Sequence, residues 1–436
     1  MAHYCFFDSI SYLNRILSLS GYTLLSASVA LLLQLILYYL VAHHVDAADL
    51  GYYFLVSTFI FIPAGIMDFG FVSSLIQKKE VTAADYTAVF RLHLQALLIY
   101  IPIGLLIVIA LAIFYDKTKL ITYFLWLIPF LILWSYITVQ AGALKKAFNT
   151  QRFALIEIGG TVSMFAMTCG LLMVGWGVTA LIAGQLAKVV AMGAGYASYQ
   201  GKQSISSPFS SEMKKHHWDF GKYVIGEKVF GIGLSYVDIF LVHHFLGPHV
   251  LGIYELLKRL VMRPVVSAYV AIEQVTFPLL SKAAGLPAKF SEAFDGIMKF
   301  NYFFFFILPL IFIAPWILSF FPESYQLETS LFKWLVLLAL AIIIHNPVDI
   351  VSYSLGRSKD YYNWVWKYGI LQIIVMIFAV QLGIITLIQT TIVYNLIAYV
   401  ISFWVLGMKE SGLSLESWVR PVIIYVLIVS AIVWLW

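Results

Sequence analysis

Charge is what this sequence lacks. Only 11% of its 436 residues are Asp, Glu, Lys or Arg, while 62% are hydrophobic; a water-soluble domain needs roughly a quarter of its residues charged to cover its surface. With a mean hydropathy of +0.91, the chain must present its surface to lipid. Cysteine is scarce as well. Cys5 lies in the N-terminal segment and Cys169 inside an apolar run, so there is neither a disulfide framework nor metal-ligand spacing. The formal net charge of +5 is spread through short loops and does not point to nucleic acid. A cleavable signal peptide is not expected either, because the first strong apolar run has no basic lead-in apart from Arg15 and no small-residue cleavage site.

What is present is a succession of apolar runs of about 20 residues, each long enough to cross a hydrocarbon core of roughly 30 Å as a helix. In lipid every backbone N–H and C=O must be satisfied within its own segment, which makes these runs helices. Spans are read at 20–42, 50–77, 87–115, 119–143, 153–175 and 177–198, then at 219–246, 249–280, 294–320, 330–355, 361–382 and 384–408. A shorter run, 420–436, closes the chain and is marginal for a full crossing. Lys and Arg crowd the even-numbered connections, from Lys78 and Lys79 to Lys409 and Arg420, whereas the odd ones hold only Lys117 and Lys119. By the positive-inside rule, the even loops and the N-terminus face the cytoplasm. The outward loops are short, and no Ser-His-Asp set, phosphate-cradling loop or paired carboxylates stand out. No catalytic residue is therefore assigned, and an enzyme is not expected.

Compared with itself at an offset of 201 residues, the chain matches without gaps. Leu40, Val41 and His43 fall on Leu241, Val242 and His244; Leu50, Gly51, Tyr53 and Leu55 fall on Leu251, Gly252, Tyr254 and Leu256; Pro63 falls on Pro264. The offset covers six spans, an even number, so both copies share one orientation, as in parallel transporter repeats. The expected fold is an all-α integral membrane protein of two pseudo-symmetric six-helix lobes around a central cavity, with one extra C-terminal apolar helix. The lobes are drawn at 1–200 and 219–409, with a cytoplasmic linker at 201–218 and the extra helix at 410–436. Pro63 and Pro264, each missing an N–H, are the hinge candidates.

Ionisable groups at membrane depth are costly and mark function by default. Span 8 carries Glu255, Lys258, Arg259 and Arg263. At ~1.5 Å per residue, Arg259 and Arg263 lie roughly 15 and 21 Å from its outer end, and Glu255, Arg259 and Arg263 share one face. The repeat places Ser57, Thr58 and Ile62 opposite Lys258, Arg259 and Arg263, so the scaffold does not need these cations in order to fold. An anion-binding cavity is expected, its guanidinium forks suited to a diphosphate, with Lys228 and Lys188 as further contributors. The competing reading is an internal Glu255–Arg259 ion pair with Arg263 on backbone carbonyls. One acid does not neutralise three cations, which favours the cavity unless acids from other helices join. Asp68, Asp238 and Asp349 are lone acids in their spans and candidates, with Glu255, for ion pairing or for coupling to H+ or Na+. The histidine pairs His43–His44 and His243–His244 sit at helix ends, where adjacent side chains diverge by about 100°, and no metal site is assigned.

Several ordered stretches carry a resemblance. Asp68-Phe69-Gly70 followed by Leu75-Ile76-Gln77-Lys78-Lys79, then Phe153-Ala154-Leu155-Ile156-Glu157, Gly177-Val178 with Ala180-Leu181-Ile182 and Gly184-Gln185, and Phe245-Leu246-Gly247-Pro248 leading to Leu251-Gly252 and Tyr254 resemble the polysaccharide-transport flippases. These belong to the multidrug/oligosaccharidyl-lipid/polysaccharide exporter superfamily. The resemblance covers most of 20–300. It implies a flippase of the bacterial inner membrane moving undecaprenyl-diphosphate-linked oligosaccharide outward by alternating access, for O-antigen, capsule or exopolysaccharide assembly. Membrane lipids, and a polysaccharide polymerase with its chain-length machinery, would be its partners. The alternative within the superfamily is a cation-coupled multidrug exporter, which the net basic cluster disfavours. A membrane glycan polymerase or ligase is a third reading, disfavoured by the missing external loop. The chain departs from the family pattern in the His43-His44 region and in its incomplete fourteen-helix form.

Overall fold

The computed structural model describes residue 22 and residues 25–434 apart from 70, 79, 148 and 200. The expectations that rest on Cys5, Arg15 and Lys79 lie outside the described residues. Within them the chain is helical. Twelve segments are long and apolar enough to cross a membrane, from Leu25–His44 to Leu415–Trp434, so the protein is a multi-pass membrane protein.

Two compact units divide the chain, Met1–Tyr236 and Val237–Trp436. The first contains α1 (Leu25–His44), α2 (Ala47–Phe69), α3 (Phe71–Gln77), α4 (Ala83–Phe114), α5 (Lys119–Lys146), α6 (Thr150–Met173), α7 (Val178–Ala197) and α8 (Ser211–Leu234). Helix α5 is its centre, packed against α2, α3, α4 and α7. Helices α6 and α7 form a close antiparallel pair, because Gly184 lets the backbones approach: a Cβ there would sit 1.9 Å from Thr168 Oγ1. Small residues at such crossings replace the hydrophobic drive that lipid removes.

The connection drawn as a linker at 201–218 is partly helix. Ser210 Oγ accepts the Met213 N–H at 3.1 Å, an N-cap that starts α8 at Ser211. Polar, charged residues place 211–218 in that linker, yet His217 there is fully buried. Helix α8 packs against α2, α3 and α4, which is why it groups with the first unit.

The second unit begins with α9 (Val237–Ala283), whose regular conformation breaks at Gly247, φ 90° and ψ 170°. Tyr254 Oη donates to Asp238 Oδ2 at 2.7 Å. In a straight helix residues 16 positions apart would be ~24 Å apart, so the chain reverses at Gly247 and α9 is a hairpin with arms 237–246 and 248–283. A positive φ favours glycine, and Pro248 opens the second arm where a missing N–H costs nothing. The other copy of the repeat solves the same reversal with Asp46, whose Oδ1 accepts the Ala48 N–H at 2.8 Å.

After the hairpin come α10 (Pro287–Asn301), a 3-10 turn (Tyr302–Ile307), α11 (Pro309–Leu318), α12 (Glu323–Gln326), α13 (Thr329–His345), α14 (Pro347–Ser354), α15 (Ser358–Val380), α16 (Ile384–Val405) and α17 (Leu415–Trp434). The spans read at 294–320 and 330–355 correspond to Pro287–Leu318 and Thr329–Ser354, with a 3-10 turn before Pro309 and helical φ and ψ at Asn346 before Pro347. Helix α2 runs unbroken through Pro63. The final helix starts at Leu415, earlier than the run at 420, with Glu416 and Arg420 paired one turn apart at 3.1 Å. Its 20 residues give ~30 Å, enough for a crossing. It is pinned by Trp418, which stacks on Tyr399 at 4.7 Å and on Phe294 at 5.3 Å and donates its indole N–H to the Tyr399 carbonyl.

Candidate functional site

The α9 hairpin gathers the charges that the sequence singled out. Asp238 sits on the first arm near its start, and Glu255, Lys258 and Arg259 on the second. The Asp238 carboxylate accepts from Lys258 Nζ, from Tyr254 Oη and, through Oδ1, from the Ile239 N–H at 3.0 Å. Lys258 Nζ also reaches Glu255 Oε1 at 3.0 Å, and Arg259 Nε donates to Glu255 Oε2 at 2.9 Å. Asp238 and Glu255 are buried, at 8% and 3% exposure. Two acids thus meet two bases in a ladder across the hairpin. Ionised groups removed from water persist only when paired and hydrogen-bonded like this.

The expectation of three cations sharing one acid is therefore revised. The second acid is Asp238, 20 residues from Lys258 in sequence and a direct neighbour because of the Gly247 reversal. Counting from the Gly247-Pro248 turn in both directions would have found it. Arg263, two turns beyond Glu255, is exposed and makes no ion pair or hydrogen bond with a described residue. It is the member of the cluster left available to an anion.

The other candidates are dispersed. Lys188 lies on α7 in the first unit and faces Glu157 of α6 at 4.0 Å, so it belongs to the helix pair there. The side chains of Asp68 and Lys228 lie outside the described residues. Asp349 stands in the first turn of α14, where its Oδ1 accepts the Ile350 N–H at 2.6 Å. Pro264 lies within the second arm of the hairpin. His43 and His44 bond back to the carbonyls of Tyr39 and Leu40.

A second charged cluster escaped the sequence reading. Asp85, in the first turn of α4, accepts from the N–H and hydroxyl of Thr82, from Lys78 and from His217 of α8. The other ring nitrogen of His217 meets Ser74 Oγ of α3 at 2.7 Å. Lys146 of α5 donates to the carbonyls of Leu75, Ile76 and Lys78 at the end of α3. Four helices are tied at one end of the unit. The capping pattern Thr82-x-x-Asp85 was the available signal for Asp85; nothing local to His217 announced its partner 132 positions away.

The described residues form a helical membrane protein with a charge ladder on one of its hairpins. Solved structures of that kind share the fold. The lipid II flippase MurJ in its inward closed conformation aligns over 95% of this chain and 92% of its own, at 14% identity and a TM-score of 0.70. A MOP superfamily transporter from Pyrococcus furiosus aligns over 91% and 96%, at 15% identity and a TM-score of 0.64. The chain belongs to the polysaccharide biosynthesis protein family, which it matches over residues 40–321, more than half of its length. Among curated relatives, the teichuronic acid biosynthesis protein TuaB of Bacillus subtilis is 21% identical over 348 residues, covering 78% of this chain and 72% of that one.

Proposed function

We propose that the protein is a flippase that carries undecaprenyl-diphosphate-linked oligosaccharide from the cytoplasmic to the outer leaflet of the bacterial inner membrane, its N-terminus in the cytoplasm. The observation that carries this reading is Arg263, a cation at membrane depth exposed and without a counterion among the described residues, beside a ladder that is already neutral. A diphosphate supplies the missing charge, and its oxygens suit the planar guanidinium. The family match and the similarity to a teichuronic acid biosynthesis protein and to a lipid II flippase support a glycan-linked lipid as cargo.

On this reading Glu255 and Asp238 hold Lys258 and Arg259 in place beside the anion, and coupling to H+ or Na+ would act by loosening that ladder. The exported unit would pass to a polysaccharide polymerase and its chain-length machinery. The test is surface glycan and inner-membrane precursor in the native host carrying Arg263→Ala, Arg263→Lys or Arg259→Ala. Arg263→Ala is expected to abolish surface glycan and accumulate precursor while the protein still inserts, with partial recovery for Arg263→Lys. Normal export by Arg263→Ala would overturn the assignment and reopen the multidrug exporter reading.

A further inference from the structure

The first unit contains a cavity of about 810 Å³ that the transport reading does not use. Its walls come from α2 (Pro63, Met67), α4 (Leu92, Tyr100, Ile103) and α8 (Trp218), and Ser211, Lys214 and Lys215 stand at the end where α8 begins. The volume falls in the range of ligand pockets, ~300–1,000 Å³, but the lining is almost entirely apolar except at that end. Helix α4 turns Leu98, Ile99 and Ile103 outward, each more than half exposed. On a membrane helix such a face meets lipid, so the cavity borders the bilayer.

Two observations define the occupant. Lys214 and Lys215 form no ion pair with a described residue; Glu212, an exposed acid on the same turn, pairs with neither. The first turn of α8 adds the N–H groups of Ser211 and Glu212, which the Ser210 cap does not take, and the positive end of its dipole. His93 lines the cavity with 1% exposure, and its Nε2 has no hydrogen-bond partner. That bare polar atom is costly and an acyl chain does not satisfy it, so the two lysines and the α8 terminus, not His93, define the head-group end.

We propose that this cavity seats an anionic glycerophospholipid of the surrounding bilayer, an acyl chain between α2, α4 and α8 and its phosphate head at Ser211, Lys214 and Lys215. Basic pockets between membrane helices bind anionic head groups in this way. The lipid then acts as part of the wall that holds α8 onto α2 and α4, a role separate from cargo transport.

The test uses the purified full chain in detergent, read by native mass spectrometry and thermal unfolding with phosphatidylglycerol or phosphatidylethanolamine added. Phosphatidylglycerol is expected to stay bound and raise the unfolding midpoint, and phosphatidylethanolamine to do neither. Lys214→Gln with Lys215→Gln should weaken phosphatidylglycerol binding about thirtyfold, the loss expected for two lysines near a lipid head. Ala96→Trp, which obstructs part of the cavity and leaves the lysines in place, should lower retention. Equal retention of the two lipids, or full retention by both variants, would overturn the proposal. So would displacement of phosphatidylglycerol by an equimolar polyprenyl diphosphate, since the cavity would then belong to the cargo. The readout is binding, so its failure leaves the Arg263 assignment untouched.

Discussion

Replacing Asp238 by Asn tests whether the hairpin ladder is a charge-balanced unit. The side chain keeps its shape and can still bond either Tyr254 or the Ile239 N–H, but its negative charge is gone. Two cations, Lys258 and Arg259, then share Glu255 alone. Removing one member of a buried pair costs about 3–5 kcal/mol. Lys258 keeps its bond to Glu255 and is 21% exposed, which places the expected loss near the lower end, ~3 kcal/mol. Lys258→Met alone should also destabilise, because it leaves Asp238 buried and unpaired. The double variant should recover ~1–3 kcal/mol relative to the sum of the singles, the coupling expected of residues in direct contact. Thermal unfolding of the solubilised protein in one detergent measures all four corners of the cycle. Glu416→Gln is the control: its pair with Arg420 is exposed, at 83% and 46%, and should be worth no more than ~0.5 kcal/mol. Strictly additive effects of Asp238→Asn and Lys258→Met would refute the ladder.

Two further perturbations address the first unit. Gly184→Leu should destabilise the protein by at least ~1–3 kcal/mol through overpacking, because its Cβ would land 1.9 Å from Thr168 Oγ1 and 3.1 Å from the Met164 carbonyl oxygen; Gly170→Ala, with nothing within 4 Å, should be silent in the same unfolding assay. Asp85→Asn removes the charge and one of the two oxygens that accept from Lys78, Thr82 and His217, so trypsin should cut after Lys78 faster than in the wild type, and His217→Ala should show the same increase; unchanged cleavage in both would mean the cluster does not hold that end together.

Most of the architecture was legible because lipid leaves the backbone few choices. Runs of apolar length marked the helices, and the 201-residue offset marked the parallel repeat. What was misread were places where polarity and helix coincide. Residues 211–218 looked like a linker, since a stretch with Glu212, Lys214, Lys215 and two histidines has no membrane signature; the cap is local, from Ser210, and the burial of His217 comes from tertiary contacts with α3 and α4. Pro309 and Pro347 leave their spans continuous, since neighbours in a membrane protein can re-satisfy the carbonyls that proline frees, as along α2 where Tyr100 Oη donates to the Phe59 carbonyl four residues before Pro63. Long-range pairs such as Asp85 with His217 leave no local pattern at all.

The two copies of the repeat show how the site was assembled. Opposite Asp238, Glu255, Lys258 and Arg259 the first copy has Leu37, Phe54, Ser57 and Thr58. There the hydroxyls of Ser57 and Thr58 both bond the Phe54 carbonyl at 3.0 Å, so the positions satisfy themselves within one helix, and Leu37 is simply buried. In the second copy all four become charged, two of each sign, and they bond to one another. No one of these changes is tolerable alone at membrane depth, because each would bury an unpaired charge; the four make physical sense only as a set. The set adds no net charge, so it is not what attracts an anion. Under the proposed function that property falls to a further difference, Ile62 against Arg263, which meets no acid among the described residues. A ladder that fixes the helical hairpin and one cation left over beside it is the arrangement expected if the hairpin's rigidity serves to aim Arg263, and the prediction is that disrupting the ladder weakens export even when Arg263 itself is intact.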